Sequence, residues 1–455
     1  MRRIPRAWVF LVAMAVAAGI AVGAMSPRAP ADTADQGAAP SRAGGAAAAE
    51  TSNWLLWGGP THDFKSPARN LAASWPASGP RRLWSRPLGE GYSPIAIEGN
   101  RLYVMYSVPG RLWGAYDLVA AVAADTGQTV WENKEGAAFR SSGDLSSGPR
   151  AMPQVVGERV VTADSAGRLS SLDKKTGKVV WSHDLYGEYG GNRMQFGYSC
   201  HPLPYKDTLI ALVGGSRNAV MAFRQADGRV AWGKHSFPNS HSSPILINVD
   251  GQDQVVALMG QQVVAVNPAT GDLFWQHPHP TQYDLAISTP IWGADNILVV
   301  SSSYEGGTRA LHLSQRGGAT TVKELWHNSR IRVHFGSMIR VGDTVYASSG
   351  HDGPAPITAF DVKTGRVLWH TGREFAKAQL VFADGKLIVL DQDGVLALAT
   401  PSTQGLTVHS RVRLLERFAW TPPTLVGTRL YLRDRKTIVA LDLGRSASAA
   451  QGRAD

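Results

Sequence analysis

The sequence predicts an all-β protein, an eight-bladed β-propeller with tryptophan-docking repeats, and three observations lead to this fold class. A short phrase that contains Thr-Gly or Asp-Gly and ends in tryptophan recurs along the chain. The 48 glycines and 26 prolines suit short strands joined by tight turns. Apolar, strand-like runs recur with the same period of about 40 to 50 residues. A fixed period of this size indicates one closed array of repeats with few helices.

Seven tryptophans mark the repeat at near-regular steps. Most of them end a copy of the phrase, as in the run from Lys175 to Trp181. The constant register of a small residue, a glycine and the tryptophan favours packing between blades over a sugar-binding platform. We therefore expect seven buried tryptophans with a structural docking role, namely Trp84, Trp131, Trp181, Trp232, Trp275, Trp326 and Trp369.

Each repeat is predicted to contain four antiparallel strands. The first follows a Ser-Pro or Thr-Pro step, and a glycine-containing turn leads into the second. The third is an apolar run, after which the Thr-Gly turn reverses the chain into the tryptophan strand. Such sheets repeated radially form a propeller, which leaves only short edges. Eight third strands are present, at Val119–Ala123, Leu169–Asp173, Val220–Phe223, Val263–Val266, Ala310–Leu313, Ile357–Asp361, Val395–Leu398 and Ile438–Asp442.

Ring closure follows from counting the fourth strands. Six tryptophan strands follow a third strand, and Val408–Leu415 supplies a seventh strand without tryptophan. The last repeat has no fourth strand after Leu441, whereas Arg82–Ser85 stands near the other end with no third strand before it. We therefore predict that the N-terminal strand around Trp84 completes the last blade and closes the ring.

The ends of the chain differ in composition from the repeats. Residues 1–25 begin with arginines and continue as an apolar stretch, which predicts a cleaved signal peptide or, alternatively, an inner-membrane anchor. Because the arginines stay in the cytoplasm, the rest is expected in the periplasm or cell envelope. Residues 26–52 are predicted to be a flexible linker and 444–455 a disordered tail, which leaves 53–443 for the propeller.

Composition and motifs argue against several functional classes. The formal net charge is +10 at pH 7, but no run of lysine and arginine interleaved with aromatic residues is present, so we expect no nucleic-acid partner. Cys200 is the only cysteine, which excludes an internal disulfide and a lipid-bearing cysteine after the apolar stretch. His277 and His279 lack a nearby cysteine or acidic ligand, which favours a turn over a metal site. We expect a monomer without catalytic or metal-binding residues.

The repeated phrase, as in the run from Ala359 to Trp369, resembles the docking motif of the pyrroloquinoline-quinone-like (PQQ-like) propeller family. The resemblance covers about Trp54 to Leu443. The phrases Trp57–Asp63 and Ser147–Arg150 look like a subgroup of exported bacterial members. The resemblance implies that each tryptophan packs against a neighbour's glycine and a small residue, here Ala121, Ser171, Ala222 or Ala265.

The PQQ-like family contains two functional branches. One comprises scaffold propellers similar to the outer-membrane assembly factor BamB, and the other comprises quinoprotein dehydrogenases that hold PQQ with calcium near adjacent cysteines. This chain has no cysteine pair and no calcium-loop pattern of Asp and Asn. The resemblance therefore implies a non-enzymatic scaffold for envelope proteins or peptides, without a cofactor. A PQQ-dependent alcohol or sugar dehydrogenase is the alternative, and a carbohydrate binder is a third possibility.

Candidate binding residues lie at or just before the first strands, which surround the central funnel of a propeller. A cluster rich in arginine, lysine and imidazole is suited to an anionic ligand or an acidic peptide. The alternative is that each is a solvated rim residue with its own hydrogen-bond partners. Convergence on one funnel mouth would favour binding. The candidates are Arg140, Arg150, Arg193, His201, His241, Asp284, His334, Lys377 and Trp420.

Overall fold

A computed structural model describes residues 53–110, 114–139, 148–351 and 353–445. Within these ranges the chain forms eight four-stranded antiparallel sheets, so the predicted eight-bladed all-β propeller is confirmed. The helical structure in this part of the chain is a single 3₁₀ turn at Gln282–Asp284. No described helix has the length and hydropathy needed to span a membrane. The predicted signal segment, linker and most of the predicted tail lie outside the described residues.

The strands are numbered β1 to β32 along the chain, and β1 (Arg81–Pro87) belongs to the last blade. Blades 1 to 4 follow one another along the chain, each with four consecutive strands. Blade 1 contains β2 (Ala96–Glu98), β3 (Arg101–Pro109), β4 (Ala115–Ala123) and β5 (Thr129–Ala137), and blade 2 contains β6 (Gln154–Val156), β7 (Arg159–Ala163), β8 (Arg168–Asp173) and β9 (Val179–Asp184). Blade 3 contains β10 (Leu203–Tyr205), β11 (Thr208–Leu212), β12 (Val220–Arg224) and β13 (Val230–Lys234), and blade 4 contains β14 (Ile245–Val249), β15 (Gln252–Leu258), β16 (Gln262–Val266) and β17 (Leu273–Pro278).

Blades 5 to 7 repeat this arrangement, whereas blade 8 takes three strands from the end of the chain and β1 from its beginning. Blade 5 contains β18 (Ile291–Trp292), β19 (Ile297–Ser302), β20 (Gly307–Arg316) and β21 (Ala319–Asn328), and blade 6 contains β22 (Ile339–Val341), β23 (Thr344–Ser348), β24 (Ile357–Asp361) and β25 (Val367–His370). Blade 7 contains β26 (Gln379–Ala383), β27 (Lys386–Leu390), β28 (Val395–Pro401) and β29 (Leu406–Arg413), and blade 8 contains β30 (Thr424–Val426), β31 (Arg429–Arg433) and β32 (Thr437–Asp442) together with β1.

The core lies in the second and third strands of the blades. Strand β19 is buried along its whole length, whereas the residues of the fourth strand β5 are exposed or partly buried except for Glu135. A strand that is buried on both faces needs apolar side chains in both directions, which explains the continuous apolar runs in the sequence. The blades therefore pack face to face through their second and third strands, and their fourth strands form the rim.

The N-terminal strand closes the ring as predicted. Strand β1 pairs antiparallel with β32, and Trp84 lies opposite Ala440. The Trp84 indole donates from Nε1 to the Ala124 carbonyl of blade 1 at 2.9 Å. Its ring lies against Gly127, which has a φ of +74°, and a Cβ there would come within 2.8 Å of the ring. Glycine is thus required both for the turn and for the contact.

The same contact recurs around the ring. Four further tryptophans each pair with a small residue on the third strand of their own blade and lie against a glycine of the next blade. The pairs are Trp131 with Gly177, Trp181 with Gly228, Trp232 with Gly271 and Trp326 with Gly365.

Two tryptophans depart from this geometry, and the expected burial is only partly met. Trp275 donates to Gln254 Oε1 at 2.8 Å, and Trp369 donates to the Ser402 carbonyl at 2.9 Å. In the blades that follow these two tryptophans, the hairpins β20–β21 and β28–β29 lack the Thr-Gly phrase. The glycine against which the other tryptophan rings lie is therefore missing there. Fewer than half of the seven are fully buried: Trp181, Trp232 and Trp275 are buried, and Trp84, Trp131, Trp326 and Trp369 are half-buried.

Residues 54–66 form a feature that the sequence did not reveal, a segment lying inside the ring against the first strands. The Trp54 backbone forms an isolated bridge with Ile97 of β2. The Leu55 carbonyl accepts from Val155 of β6, and the Ser66 hydroxyl donates to the Leu425 carbonyl of β30 at 3.1 Å. The segment therefore ties distant blades together and occupies part of the central channel.

Three carboxylates are buried between blades 1 and 2, at Asp117, Glu135 and Asp164. Burial raises the pKa of Asp164 to about 7, and repulsion from Asp117 and Glu135 adds to this rise. Asp164 Oδ1 accepts from the backbone N–H groups of Ala166 and Arg168, whereas buried Oδ2 has no partner among the described residues. The folded state consequently holds a proton that the unfolded chain would release.

This proton uptake predicts a pH-dependent stability. Between the pKa of an unfolded aspartate, about 4, and the folded pKa, about 7, the native state binds more protons, so stability falls as pH rises. We expect a loss on the order of 3 kcal/mol between pH 5 and pH 8. Urea denaturation of Asp164→Asn should give a markedly flatter profile. The exposed Asp125→Asn control should retain the wild-type slope, and equal slopes in both variants would contradict the assignment.

Candidate functional site

The segments leading into the first strands of all eight blades converge on one cavity of about 300 Å³, called the central cavity. Because each first strand begins at the same end of the ring, the preceding residues meet there. The volume matches the lower end of small-molecule sites. The lining residues are Trp57, Tyr92, Pro94, Arg150, Phe196, Ser199, His201, His241, Ser243, Ile287, Thr289, Tyr304, His334, Phe335, Lys377, Gln379, Trp420 and Pro422.

The structure brings together six of the nine predicted binding residues. Arg193 and Asp284 both lie outside the central cavity. The Arg193 guanidinium carbon is 5.2 Å from the Tyr186 ring centroid, and Asp284, in the 3₁₀ turn, accepts a hydrogen bond from Gln261. Arg140 lies outside the described residues. The convergence that favours a binding role is therefore present, although binding itself stays a prediction. The six lining residues are Arg150, His201, His241, His334, Lys377 and Trp420.

Apart from Trp420, the aromatic residues of the cavity wall were missed by the sequence reasoning. Trp57 stacks on His201 with a ring-centroid distance of 4.0 Å and an interplanar angle of 12°. Its Nε1 donates to Thr289 Oγ1 at 2.8 Å, which links the N-terminal segment to blade 5. The available signal was the phrase Trp57–Asp63, since it lies outside the repeat and still carries a large aromatic residue.

His201 and His241 are held by serine hydroxyls and are neutral. Ser243 Oγ accepts the His201 backbone N–H at 3.0 Å and contacts His201 Nδ1. Ser199 Oγ lies 2.8 Å from His241 Nδ1. Burial lowers the pKa of each imidazole to about 3, so both are uncharged at neutral pH. Both Nε2 atoms are buried and have no hydrogen-bond partner among the described residues.

A third imidazole, His334, has a similar environment. Burial lowers its pKa to about 3, and the positive charge of Lys377 adds to this effect. Its buried Nδ1 has no partner in the described part of the chain. The Tyr304 ring meets the imidazole edge-on at a centroid distance of 5.1 Å. Three neutral imidazoles thus line the same space, and each has a buried ring nitrogen without a partner among the described residues.

Two cations add positive charge to the wall. The Arg150 guanidinium donates to the Phe196 carbonyl at 2.7 Å, and burial lowers its pKa to about 10, so it remains charged at neutral pH. Lys377 Nζ lies 5.9 Å from the Phe335 ring centroid, and the lysine backbone has a φ of +46°. A left-handed conformation is costly for lysine and often marks a functional site. None of the described lining residues is a carboxylate.

The described donor set does not fit a quinone held with calcium. Calcium takes several oxygen ligands, mostly from carboxylates and carbonyls, and no acidic side chain lines the described cavity. No group of three potential metal ligands was found among the described residues. Cys200 is fully buried, donates to the Ser240 carbonyl at 2.9 Å, and has a pKa raised by burial. His279 is likewise committed elsewhere, since it accepts from Arg309 Nε at 3.0 Å.

The ring of eight four-stranded blades with a recurrent tryptophan-to-glycine contact defines a PQQ-like repeat propeller. A family model described as outer membrane protein assembly factor BamB matches residues 115–371, which is more than half of the chain. The chain therefore belongs to this family, and the resemblance inferred from the repeat is confirmed.

Relatives with the same description cover most of the chain. Outer membrane protein assembly factor BamB from Yersinia pestis is 27% identical over 325 residues, covering 67% of this chain and 75% of the relative. The protein of that name from Burkholderia pseudomallei is 25% identical over 329 residues, covering 69% and 74%.

Solved structures from both functional branches share the fold. BamB from Moraxella catarrhalis aligns with a TM-score of 0.55 and 18% identity, over 80% of this chain and 100% of that chain. Quinohemoprotein alcohol dehydrogenase from Comamonas testosteroni aligns with a TM-score of 0.61 and 13% identity, over 88% and 82%. At these identities the likeness establishes the propeller alone, so function has to be argued from the family and the site.

Proposed function

We propose that this protein is a non-enzymatic scaffold of the bacterial cell envelope that takes part in outer membrane protein assembly. The observation that carries the proposal is membership of the BamB family, with relatives named as assembly factors aligned over about two thirds of the chain. The proposal places the propeller outside the cytoplasm, in agreement with the predicted export segment in residues 1–25.

The chemistry of the central cavity supports a non-enzymatic role. A general base works best when its pKa lies near the operating pH, whereas burial holds the pKa of His201 and His241 near 3. Such imidazoles are poor proton acceptors at neutral pH. The described lining of the cavity also offers no acidic side chain to a calcium ion, which argues against the quinone-dependent dehydrogenase.

An exposed aromatic residue offers a contact point for a protein partner. Tyr283 is 74% exposed in the 3₁₀ turn between β17 and β18, and its φ is +63°. Aromatic residues dominate the energetics of protein interfaces, so an exposed tyrosine on a constrained turn is a suitable anchor. We propose that this turn contacts an envelope protein.

Deletion of the gene in the source bacterium should reduce the amount of folded outer-membrane β-barrel proteins severalfold, as measured by heat-modifiable migration on gels. Complementation with the wild-type chain should restore them, whereas Tyr283→Ala should restore them only in part. The matched control is Val408→Ala, at a residue 37% exposed on β29, which should complement fully. Unchanged barrel levels in the deletion strain would refute the assembly role.

The dehydrogenase alternative has its own measurement. The purified protein is incubated with pyrroloquinoline quinone and calcium, and dye reduction is followed over a panel of alcohols and sugars. We expect no turnover above the protein-free rate. Sustained turnover would replace the scaffold assignment with a quinoprotein one.

A further inference from the structure

We propose that a groove beside the outer strands of blades 7 and 8, called the seam groove, binds an extended acidic peptide segment of an envelope protein. The groove lies where β1 joins the end of β32, and its volume is about 750 Å³. The proposal deepens the scaffold role, on which it rests, because it names the chemistry of a partner segment. The lining residues that matter here are Trp75, Pro76, Pro80, Arg82, Leu414 and Arg445.

The floor of the groove is a strap, residues 72–80, that connects blade 8 to blade 7. Near the start of the strap, the Ala72 N–H donates to the Leu443 carbonyl at 2.8 Å. Farther along, the Trp75 N–H donates to Ser410 Oγ of β29 at 2.6 Å, and the Ser410 hydroxyl donates to the Trp75 carbonyl at 3.2 Å. Because the strap is held at both blades, binding requires little further ordering of the protein.

A turn fixes the far end of the strap. The Gly79 N–H donates to the Pro76 carbonyl at 2.8 Å, and Gly79 has a φ of +90°. A Cβ at this glycine would come within 3.1 Å of Val412 Cγ1, so the strap lies close against β29. Pro76 and Pro80 restrict the backbone on either side of the turn. Together with Trp75, which is only 9% exposed, these prolines give the groove a rigid, apolar floor.

The rims of the groove carry two positive charges that no described acidic side chain neutralises. Asp442 is the single carboxylate in the described lining, and its Oδ2 lies 2.6 Å from Arg81 Nη2. Arg82 on β1 and Arg445 beyond β32 are both exposed, and neither forms an ion pair with a described residue. The seam groove therefore combines an apolar floor with unmatched arginines.

This combination fits an extended peptide in which apolar and acidic residues alternate. Successive side chains of an extended chain point to opposite sides, so the apolar ones can face the floor while the carboxylates lie at the level of the rims. Arginine binds carboxylates through planar, charge-assisted hydrogen bonds. A basic peptide would instead meet like charges at both rims.

A membrane surface fits the groove less well than a peptide does. Proteins that lie on a bilayer insert exposed apolar side chains next to their basic residues. None of the large apolar side chains that are exposed in the described ranges lines the seam groove. The apolar surface is recessed between the rims, where a single chain can reach it and a flat bilayer cannot.

The test is fluorescence anisotropy of short labelled peptides with the full chain at pH 7 and low ionic strength. A peptide of alternating glutamate and leucine should bind with a Kd on the order of 0.1 mM, and an alternating lysine-leucine peptide at least fivefold more weakly. An alternating glutamate-serine peptide, which lacks the apolar side chains, should also bind at least fivefold more weakly. Because the arginines are exposed, about 0.5 M salt should weaken the glutamate-leucine peptide severalfold. Equal affinity for the acidic and basic peptides would overturn the proposal.

Variants locate the binding in the seam groove. The double variant Arg82→Glu and Arg445→Glu reverses both unmatched charges at exposed positions and should weaken the glutamate-leucine peptide about tenfold. The matched control is Arg224→Glu, at an exposed arginine that ends β12 on the opposite side of the ring, and it should bind as the wild type. Leu414→Ser should weaken the glutamate-leucine peptide severalfold and leave the glutamate-serine peptide unaffected. Wild-type affinity in the folded double variant would place the peptide elsewhere and refute the site.

Two further results separate the groove from its alternatives. Phosphatidylglycerol vesicles should sediment the wild type and the double variant equally. Vesicle binding that depends on the two arginines, without peptide binding, would assign the groove to a lipid and overturn the peptide. The scaffold role is tested separately by the levels of barrel proteins in the deletion strain, so reduced levels together with no peptide binding would refute the groove alone.

Discussion

Arg433→Met is expected to lower the free energy of unfolding by about 5 kcal/mol. Arg433 is fully buried at the end of β31 in blade 8. Its guanidinium donates to the Met105 carbonyl at 2.8 Å and to the Ser93 and Gly89 carbonyls at 3.2 Å, all on the blade 1 side. Methionine fills similar space but leaves these carbonyls without their donor.

The measurement is urea denaturation followed by tryptophan fluorescence. Arg429→Met is the matched control, because Arg429 lies on the same strand and is exposed, and it should shift stability by no more than about 0.5 kcal/mol. If the two variants unfold at the same urea concentration, the guanidinium does not hold blade 8 to blade 1, and β1 alone closes the ring.

The repeat explains why so much of the fold was predictable. An element that recurs with a fixed period has the same environment each time, so the third strands and the Thr-Gly turns could be located one copy from another. Closure by the strand around Trp84 followed from strand counting alone. Likewise, His201 and His241 lie in the segments that lead into β10 and β14, two and four residues before these strands, so their convergence followed from radial symmetry.

Features outside the repeat could not be found in this way. Trp57 meets Thr289 across 232 residues, and nothing in either local sequence indicates that contact. Arg433 ends a strand next to Asp434, which in the sequence is typical of a surface residue. In the structure its guanidinium donates to the carbonyl of Met105 in β3 and to those of Gly89 and Ser93 in the segment between β1 and β2. Arg193 and Asp284 were misplaced at the cavity because they lie ten and seven residues before β10 and β18, whereas the six lining residues lie within five residues of the next strand.

Trp181→Ala is expected to cost about 3 to 5 kcal/mol of unfolding free energy, because it removes a large buried ring between blades 2 and 3. Trp181 is 8% exposed, and its Nε1 donates to the Gln225 carbonyl of blade 3 at 3.0 Å. Its ring lies against Gly228, where a Cβ would come within 2.7 Å of Cδ2, so neither partner can be enlarged without separating the blades. The loss should appear in urea denaturation and in the thermal midpoint.

The neighbouring residue provides the control for this prediction. Val180→Ala removes an apolar side chain from the same strand, but Val180 is 43% exposed, so the change in unfolding free energy should stay near 0.5 kcal/mol.

Trp131 makes the same contact with Gly177 while only half-buried, so Trp131→Ala should cost less unfolding free energy than Trp181→Ala, about 3 kcal/mol. The expected losses follow the area that each side chain buries, because Trp181 and Trp131 make the same contact with a glycine of the next blade. Equal losses for all three variants would mean that the strand itself, rather than the indole, supplies the stability between blades.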